Sequence, residues 1–343
     1  MIVRIADQRD FNAIEEYIGR AEGASLYHRY RWCSVIEDCF GHKCHYLVCA
    51  GDGGAIRGIL PLAHMKSMMF GNFIVSMPYF NYGGVCADDE ESRNLLIAEA
   101  VRIAGHLGAA HIEFRQEQPL ENGFPVKTSK VSMRLALPSS PEDLWKSFPS
   151  KLRSQIRRPQ KSAMNVRIGR VDELDSFYHV FSVCMRDLGT PVYPKYFFRN
   201  MLKRFQESTW ICSVYLDNVP MASGFLAAFK DRLEIPWAAS LRRYNALSPN
   251  MLLYWSCLEF ACKRGFRVFD FGRSTTGEST YKFKEQWGAV QYPMYWHYWI
   301  ANDGTIPEIN PHNPKYRFAI GTWKKLPVPL TKLLGPRIVR NIP

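Results

Sequence analysis

Two stretches of this 343-residue chain share one pattern of apolar and polar positions. Residues 45–63 and 210–228 each contain two apolar runs separated by a short polar turn. The turns read Gly-Asp-Gly-Gly at residues 51–54 and Asp-Asn at residues 217–218, and these residue types suit tight hairpins. The pattern therefore predicts two β-hairpins of the same design.

The segments that follow these hairpins also match each other. Residues 94–115 and 250–273 each predict an amphipathic helix and then a short strand that ends near an arginine. Gly108 and Gly265 stand near the ends of the helices, where glycine commonly forms the C-terminal cap. Two copies of hairpin, helix and strand predict an α/β (α+β) protein with two tandem units. Each unit should be a mixed, mainly antiparallel sheet flanked by helices.

Proline positions divide the chain. Residues 138–141 read Pro-Ser-Ser-Pro and are typical of a junction. We therefore expect a first unit at residues 1–137, a second at residues 142–300, and a basic, proline-rich C-terminal tail at residues 301–343.

The second unit begins with basic helical sequence at residues 144–163, which Pro159 should end or kink. A strand is predicted at residues 165–169, and helices at residues 171–188 and 194–206 lead to the second hairpin. This order places three predicted helical segments before the hairpin and one helix after it.

The charge of the chain narrows the choice of partners. The formal net charge is +12, and the segments 146–170 and 315–340 carry eight and seven basic residues with no acidic one. Such charge favours nucleic acid, nucleotide-linked substrates or anionic lipid headgroups. The basic run at residues 151–161 could contact phosphates of tRNA, a nucleotide sugar or a lipid carrier, or it could be a solvated face.

Cysteine usage and the N-terminus bear on location. The nine cysteines are odd in number and no pair has CxxC spacing, which indicates free thiols in a reducing compartment. His42, Cys44 and His45 do not have the spacing of a common zinc site, so no metal is expected. The N-terminus lacks the apolar core of a signal peptide, and the apolar runs are too short to span a bilayer. We therefore expect a cytoplasmic protein.

The densest group of candidate functional residues lies between residues 265 and 288. A predicted strand at 266–271 ends in a Gly-Arg-Ser-Thr-Thr-Gly turn, and an aromatic and polar segment follows. A lysine, an arginine and hydroxyl groups past the C-terminal end of a strand suit a bound anionic or polar group. The alternative is a strand–turn–strand with a solvated rim.

Several short motifs occur in a fixed order along the chain. They are Leu-Pro-Leu at 60–62, Tyr-Gly-Gly at 82–84, Glu-Phe-Arg at 113–115, Ala-Leu-Ser-Pro-Asn at 246–250, Phe-Asp-Phe-Gly-Arg-Ser at 269–274 and Phe-Lys-x-x-Trp-Gly at 283–288. This ordered set resembles the Fem family of cell-wall transferases within the GNAT acyltransferase superfamily, and in particular the FemAB-related proteins associated with PEP-CTERM exopolysaccharide systems. The resemblance covers about residues 1–300 and implies two tandem GNAT-like units.

The resemblance implies transfer of an acyl or aminoacyl group to an amine of a cell-wall or exopolysaccharide precursor that is linked to a nucleotide or a lipid. The donor would be a co-substrate, namely aminoacyl-tRNA, an acyl carrier protein or acyl-CoA, and no cofactor would be bound permanently. The alternative is a catalytically degenerate GNAT pair that acts as a glycan-binding or membrane-associated scaffold.

The loop at residues 241–250 departs from the usual GNAT pattern. GNAT proteins bind the donor pyrophosphate with a glycine-rich loop at a helix N-terminus, whereas this loop contains no glycine. That departure puts ordinary CoA binding in doubt and leaves Arg242, Arg243 and Asn245 as candidate donor-binding residues, or as solvated residues at a strand end. Ser248 and Pro249 are expected at the N-cap and the first position of the next helix.

Site roles follow from the resemblance. Lys284 would stabilise the developing oxyanion as a positioned charge. Asp270 would orient a lysine or arginine or receive the proton of the amine, or else form a structural ion pair with Arg273. Arg273 and Ser274 would hold the acceptor or the donor carbonyl. Further substrate-binding candidates are Thr275, Tyr281, Phe283, Trp287, Tyr82 and Arg115, the last as the repeat partner of Arg273.

The C-terminal tail mixes leucine, tryptophan and basic residues. This composition is typical of an interfacial anchor on an anionic membrane. Prolines 327, 329 and 336 should prevent one long helix. The alternative is that the tail packs its apolar side chains against the protein.

Overall fold

The structure, a computed structural model, describes residues 1–68, 70–302, 304–306 and 314–343. It contains fifteen strands and eleven α-helices in these residues. The strands are β1 (Ile2–Ile5), β2 (Lys43–Ala50), β3 (Ile56–Ser67), β4 (Gly71–Val75), β5 (Cys86–Ala87), β6 (His111–Gln116), β7 (Val126–Lys127), β8 (Lys130–Ala136), β9 (Met164–Gly169), β10 (Thr209–Leu216), β11 (Val219–Phe229), β12 (Arg232–Ser240), β13 (Val268–Thr275), β14 (Val290–Pro293) and β15 (Tyr295–Ile300). The helices are α1 (Phe11–Arg20), α2 (Arg31–Phe40), α3 (Glu90–Leu107), α4 (Pro141–Ser147), α5 (Ser150–Gln160), α6 (Leu174–Leu188), α7 (Lys195–Arg204), α8 (Pro249–Lys263), α9 (Ser279–Glu285), α10 (Pro314–Trp323) and α11 (Val328–Val339).

Both predicted hairpins are confirmed, as β2–β3 and β10–β11, each antiparallel. The turn of the second hairpin consists of Asp217 and Asn218, both with positive φ (49° and 61°). Two positive φ angles match the right-handed twist of the strands that such a turn joins, and aspartate and asparagine tolerate them. Local turn chemistry therefore decides where each hairpin reverses.

Helix α3 shows why these residues form a helix. Asp89 accepts a hydrogen bond from the backbone N–H of Ser92 at 2.7 Å, which satisfies a donor at the helix start. Gly108 ends the helix in the left-handed conformation, as predicted. Gly265, with φ +78°, plays the same part after α8.

The basic sequence predicted as one helix at residues 144–163 forms two, α4 and α5, with Pro159 in the last turn of α5. The proline-rich junction is itself a helix start. The Ser140 hydroxyl accepts from the backbone N–H of Asp143 at 3.1 Å, and Pro141 is the first residue of α4.

The two predicted mixed sheets flanked by helices are confirmed. One sheet has the strand order β1-β2-β3-β4-β6-β15-β7, with β5 beside β3, and the other has the order β14-β8-β13-β12-β11-β10-β9. Within each sheet the central hairpin is antiparallel, and one parallel pair follows it, β4 with β6 and β12 with β13.

The chain divides into two compact units, and both are discontinuous. Unit 1 contains residues 1–130, 293–309 and 340–343, and unit 2 contains residues 131–292 and 310–339. Three parts therefore lie across the bounds expected from the sequence. Strand β8 precedes the predicted junction but pairs in the unit 2 sheet, β15 follows the unit 2 strands but pairs with β6 in unit 1, and helices α10 and α11 of the predicted tail belong to unit 2.

Each unit has its own core. In unit 1, α3 packs its apolar face on the sheet through Leu96, Ala100 and Ile103. In unit 2, α8 is buried on most faces and lies against the sheet with Leu253, Cys257 and Leu258. A helix that is apolar all round is one that the fold buries. This burial holds α8 in place beside the strand ends described next.

In the described part of the chain all nine cysteines are free, and seven of them are buried. None of the described helices is both long and apolar enough to cross a bilayer.

Candidate active site

The two parallel strands of unit 2 pair along only part of their length. Arg232 to Glu234 of β12 pair with Val268 to Asp270 of β13, and the described pairing ends there although both strands continue. Beyond this point lies a cleft of about 460 Å³. It is lined by the end of β12, one face of α8, the helix α9 and the loop after β12.

Of the residues predicted from the sequence, Arg242, Asn245, Phe283 and Lys284 line this cleft. Phe283 also packs edge-on against Tyr254, with ring centroids 5.0 Å apart. The sequence analysis assigned no role to several lining residues, although one of them, Asn250, ends the Ala-Leu-Ser-Pro-Asn motif. These lining residues are Cys184, Ser240, Asn250, Leu253, Tyr254, Ser279 and Thr280.

Lys284 is 7% exposed, so it is not the surface lysine that its place on a short helix would suggest. Its Nζ donates to the carbonyl oxygens of Gly272 and Arg273, each at 2.9 Å. An ammonium group has three donors, so two bonds to β13 leave one N–H for a group in the cleft. Gly272 has a φ of +74°, a conformation that glycine takes readily where the strand must turn its backbone.

Burial lowers the pKa of Lys284 to about 8, because the charged form loses hydration. The negative charges of Asp270 and Glu234 oppose this shift, and the positive charge of Arg273 adds to it. The ammonium and neutral forms of Lys284 therefore lie close in free energy near neutral pH, which is a property common at catalytic positions.

Asp270 is completely buried and is surrounded by donors. Its carboxylate accepts from the Ser132 hydroxyl at 2.9 Å, from Arg134 Nε at 3.2 Å and from the backbone N–H of Gly272 at 2.8 Å. Asp270 thus has an ion pair with Arg134 of β8, a partner that the sequence analysis did not identify. With these acceptor positions taken, the geometry favours an electrostatic role toward Lys284 over direct proton transfer.

The remaining predicted residues of unit 2 have different surroundings. Arg273 is exposed, and its carbonyl rather than its guanidinium contacts Lys284. Ser274 is buried, and its hydroxyl has no hydrogen-bond partner within the described residues. Thr275 is half-buried at the end of β13. The Tyr281 hydroxyl donates to Gln291 at 3.3 Å, and Trp287 is a core residue that packs against Phe148.

The loop after β12 forms a short 3-10 helix at Arg242–Leu247. Pro249 is the first residue of α8, as predicted. Ser248 occupies the N-cap position but has a left-handed backbone, with φ 57°, and makes no capping hydrogen bond through its side chain. The prediction of Ser248 as a side-chain cap was therefore wrong, because the 3-10 turn before it imposes a conformation unlike the extended one of a usual N-cap.

Tyr82 and Arg115 lie in unit 1, and both are buried there. Arg115 donates to Glu113 Oε1 and to the carbonyl of Phe80, both at 2.6 Å, and its guanidinium lies 4.5 Å from the centroid of the Trp296 ring. These contacts are internal to unit 1. They place the Arg115 guanidinium in the unit 1 core, in an ion pair with Glu113.

In the structure, the position in unit 2 that is equivalent to Arg115 differs from the one predicted. The described parallel pairing ends at Glu113 in unit 1 and at Asp270 in unit 2. Both acidic residues also stand at the same distance from their capping glycines, Gly108 and Gly265. Glu113 is thus equivalent to Asp270, and Arg115 falls at the place of Gly272, one residue before Arg273.

Comparisons with known proteins agree with this geometry. Residues 146–284 match the family model described as acetyltransferase (GNAT) domain. A search of the curated proteins finds no significant match.

Three solved structures with the same fold illustrate the likeness. FemX has 14% sequence identity and a TM-score of 0.69, and the match covers 88% of this chain and 98% of that one. L-PGS from Bacillus licheniformis has 12% identity and a TM-score of 0.56, with 98% and 99% covered. A tandem GNAT protein from the clavulanic acid biosynthesis pathway has 10% identity and a TM-score of 0.53, with 89% and 99% covered.

Unit 2 therefore carries a GNAT domain, and the chain is an acyltransferase. Its two GNAT-like units share the fold of FemX and of the tandem GNAT protein.

Proposed function

We propose that unit 2 transfers an acyl or aminoacyl group to an amine of a cell-wall or exopolysaccharide precursor. The observation that carries this proposal is Lys284, a buried ammonium group that lines the cleft while two backbone carbonyls of β13 fix its position. A fixed donor in a site of low polarity suits the charge that develops when an amine attacks a carbonyl.

In the proposed reaction the neutral amine of the acceptor forms a bond to the carbonyl carbon of the donor. The carbonyl oxygen becomes negative and accepts a hydrogen bond from the third N–H of Lys284. The bond from carbon to the leaving oxygen or sulfur then breaks and the carbonyl re-forms. The amine gives up one proton and the leaving atom takes one up, so the transfer is balanced without a redox partner.

Asp270 and Arg134 support Lys284 in this proposal. The Asp270 carboxylate raises the pKa of Lys284 against the effect of burial, and so keeps more of it charged. Arg134 and Ser132 hold that carboxylate. Asp270 is accordingly a positioning residue, and Lys284 is the catalytic residue. Arg273, Ser274, Thr275, Tyr281 and Phe283 are proposed to shape the substrate-binding region around them.

The donor is proposed to be aminoacyl-tRNA or an acyl carrier protein in preference to free acyl-CoA. GNAT domains use acyl-CoA as co-substrate. In this chain, however, the loop before α8 contains no glycine and presents Arg242, Arg243 and Asn245 instead. A pyrophosphate could then be held by side chains but not by close approach to the loop backbone. The link to PEP-CTERM exopolysaccharide systems stays a prediction.

A nucleotide- or lipid-linked precursor is the proposed acceptor, which the protein would meet in the cytoplasm or at the inner face of the membrane. Helix α11 supports peripheral contact. The face of this helix that carries the small residues Thr331 and Gly335 is buried. Leu330 and Leu333 are 37% and 62% exposed. A Cβ at Gly335 would lie 2.8 Å from the backbone nitrogen of Val192, so this close packing fixes which side faces outward.

A donor panel tests the proposed function. Full-length protein is mixed with an acyl-CoA series, acyl carrier proteins or aminoacyl-tRNA, and the melting temperature is measured for each. Donors that raise it are then incubated with UDP-linked and polyprenyl-linked amine acceptors, and mass spectrometry detects the amide product. Wild-type protein should form product that Lys284→Met protein does not. If no donor class stabilises the protein or yields an amide, the proposal fails.

A further inference from the structure

A second pocket of unit 2 lies next to the cleft and shares a residue with it. The pocket has a volume of about 240 Å³ and lies between α6 and the loop that follows β12. His179, Arg186 and Asp187 line it from α6, and Arg242 and Arg243 line it from the loop. Arg242 also lines the cleft that contains Lys284, so the pocket and the cleft are neighbours.

The charges in this pocket do not balance. Asp187, the acidic residue among those that line it, is bound by Arg186 at 2.7 Å, and Arg186 also donates to the carbonyl of Leu326 at 3.1 Å. Arg242 and Arg243 are exposed. Within the residues that the structure describes, neither forms an ion pair with an acidic side chain. Two guanidinium groups are thus available to an incoming anion.

The surroundings of His179 support an excess of positive charge. Burial lowers the pKa of His179, and the positive charges of Lys332 and Arg243 lower it further. Lys332 of α11 is itself half-buried, and its pKa is lowered by burial and by Lys195. The positive charges around His179 repel one another, and a bound anion would stabilise all of them. Neutral His179 would still contribute an N–H donor.

We infer that this pocket binds the phosphate or diphosphate group of the acceptor precursor. Arginine forks match phosphate oxygens with paired hydrogen bonds, which are the stronger, charge-assisted kind. The volume is several times the ~30 Å³ that one water occupies in the liquid, which leaves room for two phosphate groups. The inference rests on the proposed function, because it assigns the phosphorylated end of the acceptor to this pocket and the amine to the cleft.

The diphosphate could belong to a nucleotide or to a lipid carrier, and calorimetry on full-length protein distinguishes them. The probes are inorganic diphosphate, UDP and farnesyl diphosphate, with CoA as a fourth. Binding of all three diphosphates with similar affinity would assign the pocket to the phosphate groups alone. A tenfold preference for UDP or for farnesyl diphosphate identifies the nucleotide or the lipid as the source. Preference for CoA over all of them would assign the pocket to the donor and overturn the inference.

Variants locate the binding. Arg242→Gln and Arg243→Gln should each weaken diphosphate binding by about 10-fold or more, as expected for loss of a charge-assisted contact. Arg199→Gln is the matched control, since Arg199 is exposed on α7 of the same unit and does not line the pocket. It should change the dissociation constant less than twofold. Equal weakening in all three variants, or no diphosphate binding to wild-type protein, would overturn the inference.

The His179 imidazole gives a second readout that does not depend on turnover. Bound diphosphate should raise the pKa of His179, measured by NMR titration of its ring protons, and Arg243→Gln should reduce that rise. An unchanged titration with saturating diphosphate contradicts the assignment. Diphosphate binding without amide formation would leave this pocket in place and refute the proposed reaction. Equal turnover of acceptors with and without phosphate would support the proposed reaction and refute the assignment of this pocket.

Discussion

Lys284 Nζ lies 2.9 Å from the carbonyl oxygen of Gly272, and this hydrogen bond ties helix α9 to strand β13. It fixes a cation where the pairing of β12 with β13 has ended and the cleft begins. The relationship explains why a lysine on a seven-residue helix is almost completely buried. It also leads to the first two predictions.

Replacing Lys284 with methionine should lower kcat and kcat/KM together by roughly 10²–10³, because the lost interaction forms only in the transition state. Donor affinity, measured by calorimetry, should change little. Lys282→Met is the control, since Lys282 is exposed on the same helix and should retain wild-type turnover. Near-normal turnover of Lys284→Met with the true substrate pair would remove Lys284 from the mechanism.

Lys284 should also make stability depend on pH. Its pKa is about 8 in the folded protein and 10.5 by its ordinary value, so the unfolded chain binds this proton more tightly. Between about pH 8 and 10.5 the free energy of unfolding should therefore rise with pH, by about 3 kcal/mol from this group. Below pH 8 the full cost of the buried charge is present. Urea unfolding of wild-type and Lys284→Met protein across this window measures the effect, and identical slopes for the two would refute it.

The ion pair of Asp270 with Arg134 should matter for stability more than any exposed pair. Asp270 is fully buried, so Arg134→Ala removes an ion pair from a carboxylate that has no access to water inside unit 2. We expect the free energy of unfolding to fall by about 3 kcal/mol. Lys263→Ala, which removes the exposed pair with Glu259, is the control and should cost less than about 1 kcal/mol. A loss as small for Arg134→Ala as for the control would show that Asp270 is held by its other donors alone.

Free acetyl-CoA should bind weakly or not at all. The 3-10 turn at Arg242–Leu247 contains no glycine, so its side chains occupy the space in which a pyrophosphate would approach the backbone. Isothermal calorimetry with acetyl-CoA checks this, with the donor identified by the panel above as the positive control. A dissociation constant in the micromolar range or tighter for acetyl-CoA would reverse the proposed order of donors.

The outward side of α11 should contact anionic membranes. Leu330 and Leu333 are exposed beside Arg337, and residues 309–343 contain no acidic side chain. Apolar contact and about 1 kcal/mol per basic residue would favour binding. Full-length protein should sediment with anionic vesicles, less with neutral ones and less at high salt, and the double variant Leu330→Ser, Leu333→Ser should lose most of this binding.

The control for the membrane prediction is a second double variant, Leu95→Ser with Val219→Ser. These side chains are 36% and 40% exposed, and they belong to α3 and β11. The control should sediment like wild-type protein. Equal sedimentation of both double variants would show that α11 does not form the contact.

The features that the sequence predicted well are local ones. The Asp217-Asn218 turn and the capping glycines Gly108 and Gly265 act through backbone conformations that a few neighbouring residues impose. Apolar periodicity likewise places α3 and α8 without reference to distant residues. Because these signals are local, the sequence alone predicted the order of hairpin, helix and strand in both units.

The tertiary structure alone decided which strands complete each sheet and which charges meet. β8 and β15 each pair in the sheet of the unit opposite to the one expected from the sequence, and no local pattern specifies an edge partner far along the chain. Ser132 and Arg134 reach Asp270 across 138 and 136 residues, so the sequence suggested nearby Arg273 instead. The burial that lowers the pKa of Lys284 is likewise a property of the folded surroundings, because desolvation depends on atoms that only folding brings together.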